Sequence, residues 1–447
     1  MDPSHPPHDG SRAGPLPEPP TEPIGDGGLT GLRGLLHLDL GPLRRARDFR
    51  LLFLGQGVSF FGSMVTYVAL PYQAYQLSRS SLVVGLLSVA ELLPLLITAF
   101  VGGALADAVD RRKMVRWTEL VMCLVVGILV VNAVVPHPQL WLLFVCAAAA
   151  AGTEGLQRPS LDAMVPRLVT SEDLPSAAAL SSLRMNVGMV AGPPIAGVLI
   201  VAVGLPATYA IDVASFVVSL VALAMMRAVP PPPESSGVSF RAIAQGLRYA
   251  RSRQDLLGTY LVDMNAMFFG IPTALFPQVA THFGGAAVLG VLYAAPSVGS
   301  LLVTLSRGWT RRVRHQGRGV ALAAGAWGVG IIAFGLSNSL AMAVVALALA
   351  GGADMVSGLF RQTIWNQSIP DVLRGRLAGI EMLSYSSGPT LGNVEAGLAE
   401  AIAGLRVSIV FGGAACVVGT VALATAMPRL WRYDSRDAPA LRANSER

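Results

Sequence analysis

Charge is scarce in this sequence. Asp, Glu, Lys and Arg make up 13% of its 447 residues, against 53% hydrophobic residues, and a soluble domain of that length would need far more polar surface to stay in water. Cysteine is scarcer still: Cys123, Cys146 and Cys416 sit in separate apolar runs without CxxC spacing, which excludes a disulfide framework and a zinc site. His5, His8, His37, His137, His282 and His315 all fall in tails or loops, and neither an HExxH nor a GxxxxGKS/T pattern occurs. A catalytic metal, ATP as energy source and any other cofactor are therefore not expected. An intramembrane enzyme would need a polar catalytic set at one depth, and a receptor or scaffold would add a folded soluble domain. Neither is visible, so the chain does not read as an enzyme.

What the chain has in abundance is long apolar runs. A helix needs about 20 mostly apolar residues to cross a bilayer core of roughly 30 Å. Such runs follow one another near 50–77, 82–106, 114–134, 139–161, 176–202 and 205–227, then 255–281, 287–306, 319–337, 339–361, 376–402 and 405–427. Backbone groups cannot stay unpaired in hydrocarbon, and strand-type alternation is absent, so these segments must be helices. The expected fold class is an all-α membrane protein of twelve transmembrane helices in two pseudo-symmetric six-helix bundles. Membrane lipid takes the place of a soluble core.

Basic residues set the expected orientation, because cytoplasmic loops retain Lys and Arg. Arg44, Arg45, Arg47 and Arg50 precede the first span, Arg111, Arg112, Lys113 and Arg116 follow the second, and Arg307, Arg311, Arg312, Arg314 and Arg318 follow the eighth. The opposite loops, near Ser78, His137, Leu205, His282, Asn338 and Leu405, hold only Arg79 and Arg406. Both termini are thus expected in the cytoplasm, with the chain in the inner (plasma) membrane. The net charge of +6 follows from this asymmetry and from anionic lipid, so no nucleic-acid partner is required.

The organisation expected is a cytoplasmic tail over 1–43, a first bundle over 44–228, a linker over 229–254, a second bundle over 255–428 and a cytoplasmic tail over 429–447. The first 28 residues, rich in Pro, Gly and acidic groups, lack an apolar core of signal-peptide length and read as disordered. Pro230 to Pro233 end the sixth span. Phe240, Ile243, Ala244, Leu247 and Ala250 then share one face, flanked by Arg241, Arg248, Arg251 and Arg253, the pattern of an amphipathic helix on the membrane surface. A weak repeat relates the halves: Gly85-Leu86-Leu87 matches Gly290-Val291-Leu292, and Gly192-Pro193 matches Gly388-Pro389. Duplicated bundles of this kind rock about a midplane site.

The stretch from Gly103 through Asp107 and Asp110 to Arg111, Arg112 and Lys113, GALADAVDRRK, resembles the signature loop between helices 2 and 3 of the major facilitator superfamily. Asp110 stands where the commonest version has glycine, a departure usual in the subgroup resembled here. Gly188 to Gly197, GMVAGPPIAG, is similar to the helix-5 motif of the superfamily's drug/proton antiporters, departing only at Ala196. It contributes Gly188, Gly192, Pro193 and Gly197, small and bending residues suited to tight packing, on helix 8 in this reading. Phe49 to Gln56, Val165 to Val169 with Glu172-Asp173-Leu174, and Pro370 ahead of Arg374-Gly375-Arg376 resemble the enterobactin-exporter and macrolide-efflux branch. The resemblance spans residues 44 to 427. It implies proton-coupled export of an amphipathic organic solute, such as a siderophore, antibiotic or other drug-like metabolite, by a monomer working through alternating access. An importer or facilitator is the alternative. The small-molecule substrate and protons are the partners.

Ionisable groups at membrane depth carry most of the candidates for function. Glu91, Asp263 and Asp354 are the proton-coupling candidates, since a carboxyl whose hydration changes between conformations can take up and release a proton. Glu91 leads because Val89, Ala90, Leu92 and Leu93 surround it; the resemblance places Asp263 and Asp354 on helices lining the cavity. Gln56, Glu154, Arg158 and Glu395 are substrate-cavity candidates, with a Glu154–Arg158 pair at i, i+4 as the plainer account. Asp212 reads as structural, Glu400 as solvated, and Arg184 as the counter-ion of Glu119, Glu154 or Glu381. The resemblance implies a gate of Asp107, Arg111 and Asp162 near helix 11, in which Gly103 and Arg112 belong to the loop motif. The topology is testable: on intact cells an impermeant thiol reagent should label His137→Cys and spare His315→Cys, and labelling of position 315 from outside would overturn the orientation.

Overall fold

The computed structural model describes residues 39–229, 248–249, 251, 253–369 and 371–434, and only the backbone of 100–101, 103–108, 307, 311 and 371–385. The expected disordered tail over 1–28, the amphipathic face of the linker around Phe240, and the side chains of Asp107, Arg374, Arg376 and Glu381 lie outside the described residues, as do the surroundings of Gly103. No strand occurs among the described residues.

The long helices are α1 (Arg47–Ser78), α2 (Ser81–Ala108), α3 (Arg111–Val134) and α4 (Leu140–Leu168). The stretch Leu174–Met225 is broken into α5 and α6 at Gly204, whose φ of 77° turns the chain in a conformation that favours glycine. Then come α7 (Gln254–Phe269), α8 (Ala286–Ser306), α9 (Gln316–Gly335), α10 (Leu340–Ser368), α11 (Asp371–Ala403) and α12 (Leu405–Ala426). Among the described residues nine helical stretches, with α5 and α6 counted as one, are long and apolar enough to cross a membrane. Leu93, Trp117, Val201, Leu349 and Ile402 each expose more than half of their surface, the outward apolar face of a protein whose solvent is lipid.

The expected span 255–281 is not one continuous helix. It stops at Phe269, bends through Gly270 and a 3-10 turn at Thr273–Leu275, and resumes as Phe276–Phe283. At the break the Trp327 indole nitrogen occupies the space beside Gly270, 2.0 Å from where a Cβ would stand.

The first six helices pack as α1 on the α5–α6 pair, α2 on α4, and α3 on α4 and α6; the last six pack as α7 on α11 and α12, α8 on α10, and α9 on α10 and α12. The two sets meet along α2–α11 and α5–α8. Both seams rest on backbone contact. A Cβ on Gly85 would lie 2.4 Å from the Asn393 carbonyl oxygen of α11, and one on Gly290 would lie 2.1 Å from the Pro193 carbonyl oxygen of α5. These two glycines are the repeat partners recognised in the sequence.

Gly290→Ala therefore places a methyl group where a carbonyl already sits. The substitution should cost about 1–3 kcal/mol, as overpacking does, seen as a lower midpoint of thermal unfolding in detergent. Gly127→Ala, at a site with nothing within 4 Å, is the matched control and should leave the midpoint in place.

Candidate functional site

In the last six helices the polar centre is built around Arg361 of α10. Its guanidinium forms an ion pair with Asp263 of α7 and lies 3.8 Å from Asp354, two turns earlier on α10. The Arg361 and Asp263 side chains are 12% and 10% exposed, and that of Asp354 38%, so the paired carboxylate is enclosed and the second is open. One turn beyond Arg361, the Trp365 indole donates to Thr259 Oγ1 at 2.8 Å and stacks on Tyr260 at 5.1 Å between centroids. These contacts fasten α10 to α7. The structure thus brings together two sequence candidates and adds Arg361, which the sequence reading passed over. The signal was present, for Arg361 is the single basic residue of α10 and stands at i+7 from Asp354.

In the first six helices the acid with the most hydrogen-bond donors around it is Glu119 of α3, 1% exposed. Gln56 Nε2 and Gln157 Nε2 donate to its Oε1 at 2.7 and 2.9 Å, and Ser59 Oγ lies 3.2 Å from Oε2. Gln56 Nε2 is also 3.1 Å from Ser219 Oγ of α6. The Gln56 side chain is therefore spent inside the first bundle and does not face a substrate cavity, contrary to the expectation. Asp212, fully buried on α6, accepts from Thr66 and from Ser215 Oγ, the latter at 3.1 Å. Gln56, Ser59 and Thr66 form a polar face of α1 turned toward α3 and α6.

Around this core stand the remaining candidates. Glu91 is partly buried, within electrostatic reach of Tyr67, Tyr293 and Glu154. Glu154, Arg158 and Asp162 are exposed along α4, and Asp162 lies within electrostatic reach of Arg158 and Arg184. Arg184 of α5 forms no ion pair with Glu119 or Glu154; its Nη1 donates to the Gln56 carbonyl at 2.9 Å, and its guanidinium lies 5.7 Å from the centre of the Phe60 ring. Glu395 is half-buried on α11. Glu400, expected to be solvated, accepts from Gln278 Nε2 at 2.9 Å, a partner supplied by the helical piece beyond the α7 break.

The basic loop holds helix ends together. Asp110 caps α3, accepting from the Arg112 and Lys113 backbone at 2.9 and 3.3 Å, a use of carboxylate that glycine could not supply. Arg111 Nη1 donates to the Ala163 carbonyl of α4 at 3.1 Å, and Arg112 donates to the Leu223 and Ala224 carbonyls at the end of α6, both at 2.7 Å. Carbonyls in the last turn of a helix lack the donor that the next turn would supply, and the guanidinium provides it. The helix-5 glycines divide between two neighbours. Gly188 and Gly192 lie against Phe60 and Met64 of α1, while Gly197 lies against Ala286 of α8. The five-residue step from Gly192 turns the helix about 140°, which is why one motif serves two faces.

Among the described residues, the hydrogen bonds and ring contacts between the first and last six helices all lie at the end away from the basic loops. Ser81 Oγ donates to Gln278 Oε1 at 2.6 Å, Asn393 Nδ2 donates to Ser88 Oγ at 3.2 Å, and Tyr67 meets Tyr293 edge-on at 5.2 Å. The molecule is shut there around Glu91.

Removing Arg361 strands an enclosed carboxylate, which costs about 3–5 kcal/mol where a buried pair is broken from one side. Arg361→Gln should therefore lower the unfolding midpoint in detergent more than the double variant Asp263→Asn/Arg361→Gln does. Equal midpoints would show that the pair is not desolvated.

Residues 38–445 match the transmembrane secretion effector family. The enterobactin exporter EntS of Shigella boydii serotype 4 (strain Sb227) is 28% identical over 365 residues, 79% of this chain and 86% of the relative. EntS of Escherichia coli O1:K1 / APEC is 28% identical over 362 residues, with the same coverage. A POT family transporter solved with 5-aminolevulinic acid superposes with a TM-score of 0.66 at 12% identity, over 86% of this chain and 97% of that one. Another, with a thioalcohol-conjugated peptide, gives 0.65 at 12% identity, over 86% and 96%.

Proposed function

Because this chain belongs to the transmembrane secretion effector family of the major facilitator superfamily, we propose that it is a proton-coupled exporter of an amphipathic organic solute of the siderophore class. It works as a monomer of twelve transmembrane helices in two six-helix halves, over 44–228 and 255–428, in the inner membrane with both termini in the cytoplasm. Its likeness to the enterobactin exporters supports the solute class and the direction. In this reading the basic loops are cytoplasmic, and the contacts that close the opposite end lie toward the outside.

The observation that carries the reading is the set Asp263, Arg361 and Asp354. Two acids share one cation on helices lining the passage, so protonation of Asp263 would release Arg361 toward Asp354 and loosen α7 from α10. A proton taken from outside would thus be exchanged for the solute as the halves rock. Glu91, beside the closed end, is the carboxylate placed to meet the outside first. The loop and helix-5 residues, Gly103, Asp107, Arg111, Arg112 and Asp162 with Gly188, Gly192, Pro193 and Gly197, set the gate and the packing about which the halves move.

In everted vesicles, Glu91→Gln should abolish solute uptake driven by a pH gradient while leaving downhill exchange intact. The solute for that assay is the metabolite retained by a strain lacking the protein. Normal gradient-driven uptake by Glu91→Gln would exclude Glu91 as the carrier, and the same result for Asp263→Asn and Asp354→Asn would overturn proton coupling through these groups.

A further inference from the structure

We propose that Arg184 is an anion-binding subsite, so that the solute carried by this protein presents a carboxylate or a comparably acidic group to α5. The inference rests on the export reading above for the word solute, and on geometry for the site itself. Arg184 lies about three turns into α5, at membrane depth. An arginine so placed is costly unless something neutralises it, yet among the described residues no carboxylate lies within 4.0 Å of its guanidinium. The contacts it has are one backbone carbonyl, that of Gln56, and one aromatic face, that of Phe60. A guanidinium carries five N–H donors in a planar fork, and among the described residues a single one is committed here.

Two buried acids of this half are engaged elsewhere. Glu119 is held by Gln56, Ser59 and Gln157, Asp212 by Thr66 and Ser215. Asp162 acts on Arg184 from a distance and acts on Arg158 as well. The guanidinium is also held in place before any ligand arrives. Gln56, whose carbonyl receives it, is itself fixed to Glu119 and Ser219 through its side chain. The Phe60 ring beneath the cation lies against α5 because position 188 carries no side chain; a Cβ there would be 2.4 Å from the ring. A fork with one edge anchored and the other unspent is preorganised for bidentate contact with a carboxylate.

The test uses the full-length protein purified in detergent, with 1-pyrenebutyrate and its neutral amide as fluorescent probes of one shape and two charges. The wild type should bind the carboxylate at least ten-fold more tightly than the amide. Arg184→Gln should bring the two affinities together, and Arg184→Lys, lacking the planar fork, should reduce the preference at least three-fold. A second arm needs no variant: pyrenebutyrate, and not the amide, should slow modification of Arg184 by phenylglyoxal, read by peptide mapping. A wild type without carboxylate preference, a preference that survives Arg184→Gln, or an Arg184 modified equally fast with and without carboxylate overturns the proposal. Neither arm uses a proton gradient. A preserved carboxylate preference in a protein that fails the vesicle assay would support the subsite while sinking the export reading.

Discussion

A charge that cannot reach water must be answered by the protein, and the interior of this molecule is organised by that requirement. Three kinds of answer appear. Arg361 is met by opposite charge, from Asp263 and Asp354. Glu119 and Asp212 are met by neutral donors, amides and hydroxyls from other helices together with Ser215 of Asp212's own helix. Arg111 and Arg112 are met by backbone carbonyls of neighbouring helices. The first kind can change with a proton, since one partner titrates. The second and third hold helices in register, because each of these groups has at least one partner on a different element.

The same division separates a rigid frame from a movable seam. Within the first six helices, Glu119 ties α1, α3 and α4, and Gln56 extends the tie to α6. Among the described residues, the contacts between the two sets of helices are of another sort: glycine against carbonyl, with a few neutral hydrogen bonds and one pair of tyrosine rings. Such surfaces separate without stranding a charge. Rocking of one half on the other is compatible with that chemistry.

Much of this was legible in the sequence because lipid imposes a length and a composition on whatever crosses it. Runs of apolar residues gave the positions of the helices, and Gly85 and Gly290 were recognisable as repeat partners before their contacts were seen. The break in α7 was not read from the sequence, although Gly270 and Pro272 mark it; Trp327, distant in sequence, fills the space beside Gly270. Pairing of charges was equally hidden, for Arg184 had three acids to choose from on paper and takes none of them within 4.0 Å among the described residues. Gln56 is polar and lies on α1, yet the direction of its side chain is a property of α3 and α6. Asp110 appeared as a departure from a family pattern; its reason is the cap it gives to α3.

Asn393 joins two events that would otherwise be independent. Its Oδ1 receives the Ala274 backbone N–H at 3.0 Å and the Thr273 hydroxyl at 2.7 Å, donors set free where α7 stops being a helix. Its Nδ2 reaches across the seam to Ser88 of α2. One planar amide therefore reads the shape of a broken helix on one edge and the presence of the opposite half on the other. Were the contact with α2 lost, the edge facing α7 would still keep its two donors. The contact between the halves at Ser88 and the bend in α7, the helix that carries Asp263, are thus joined through one side chain.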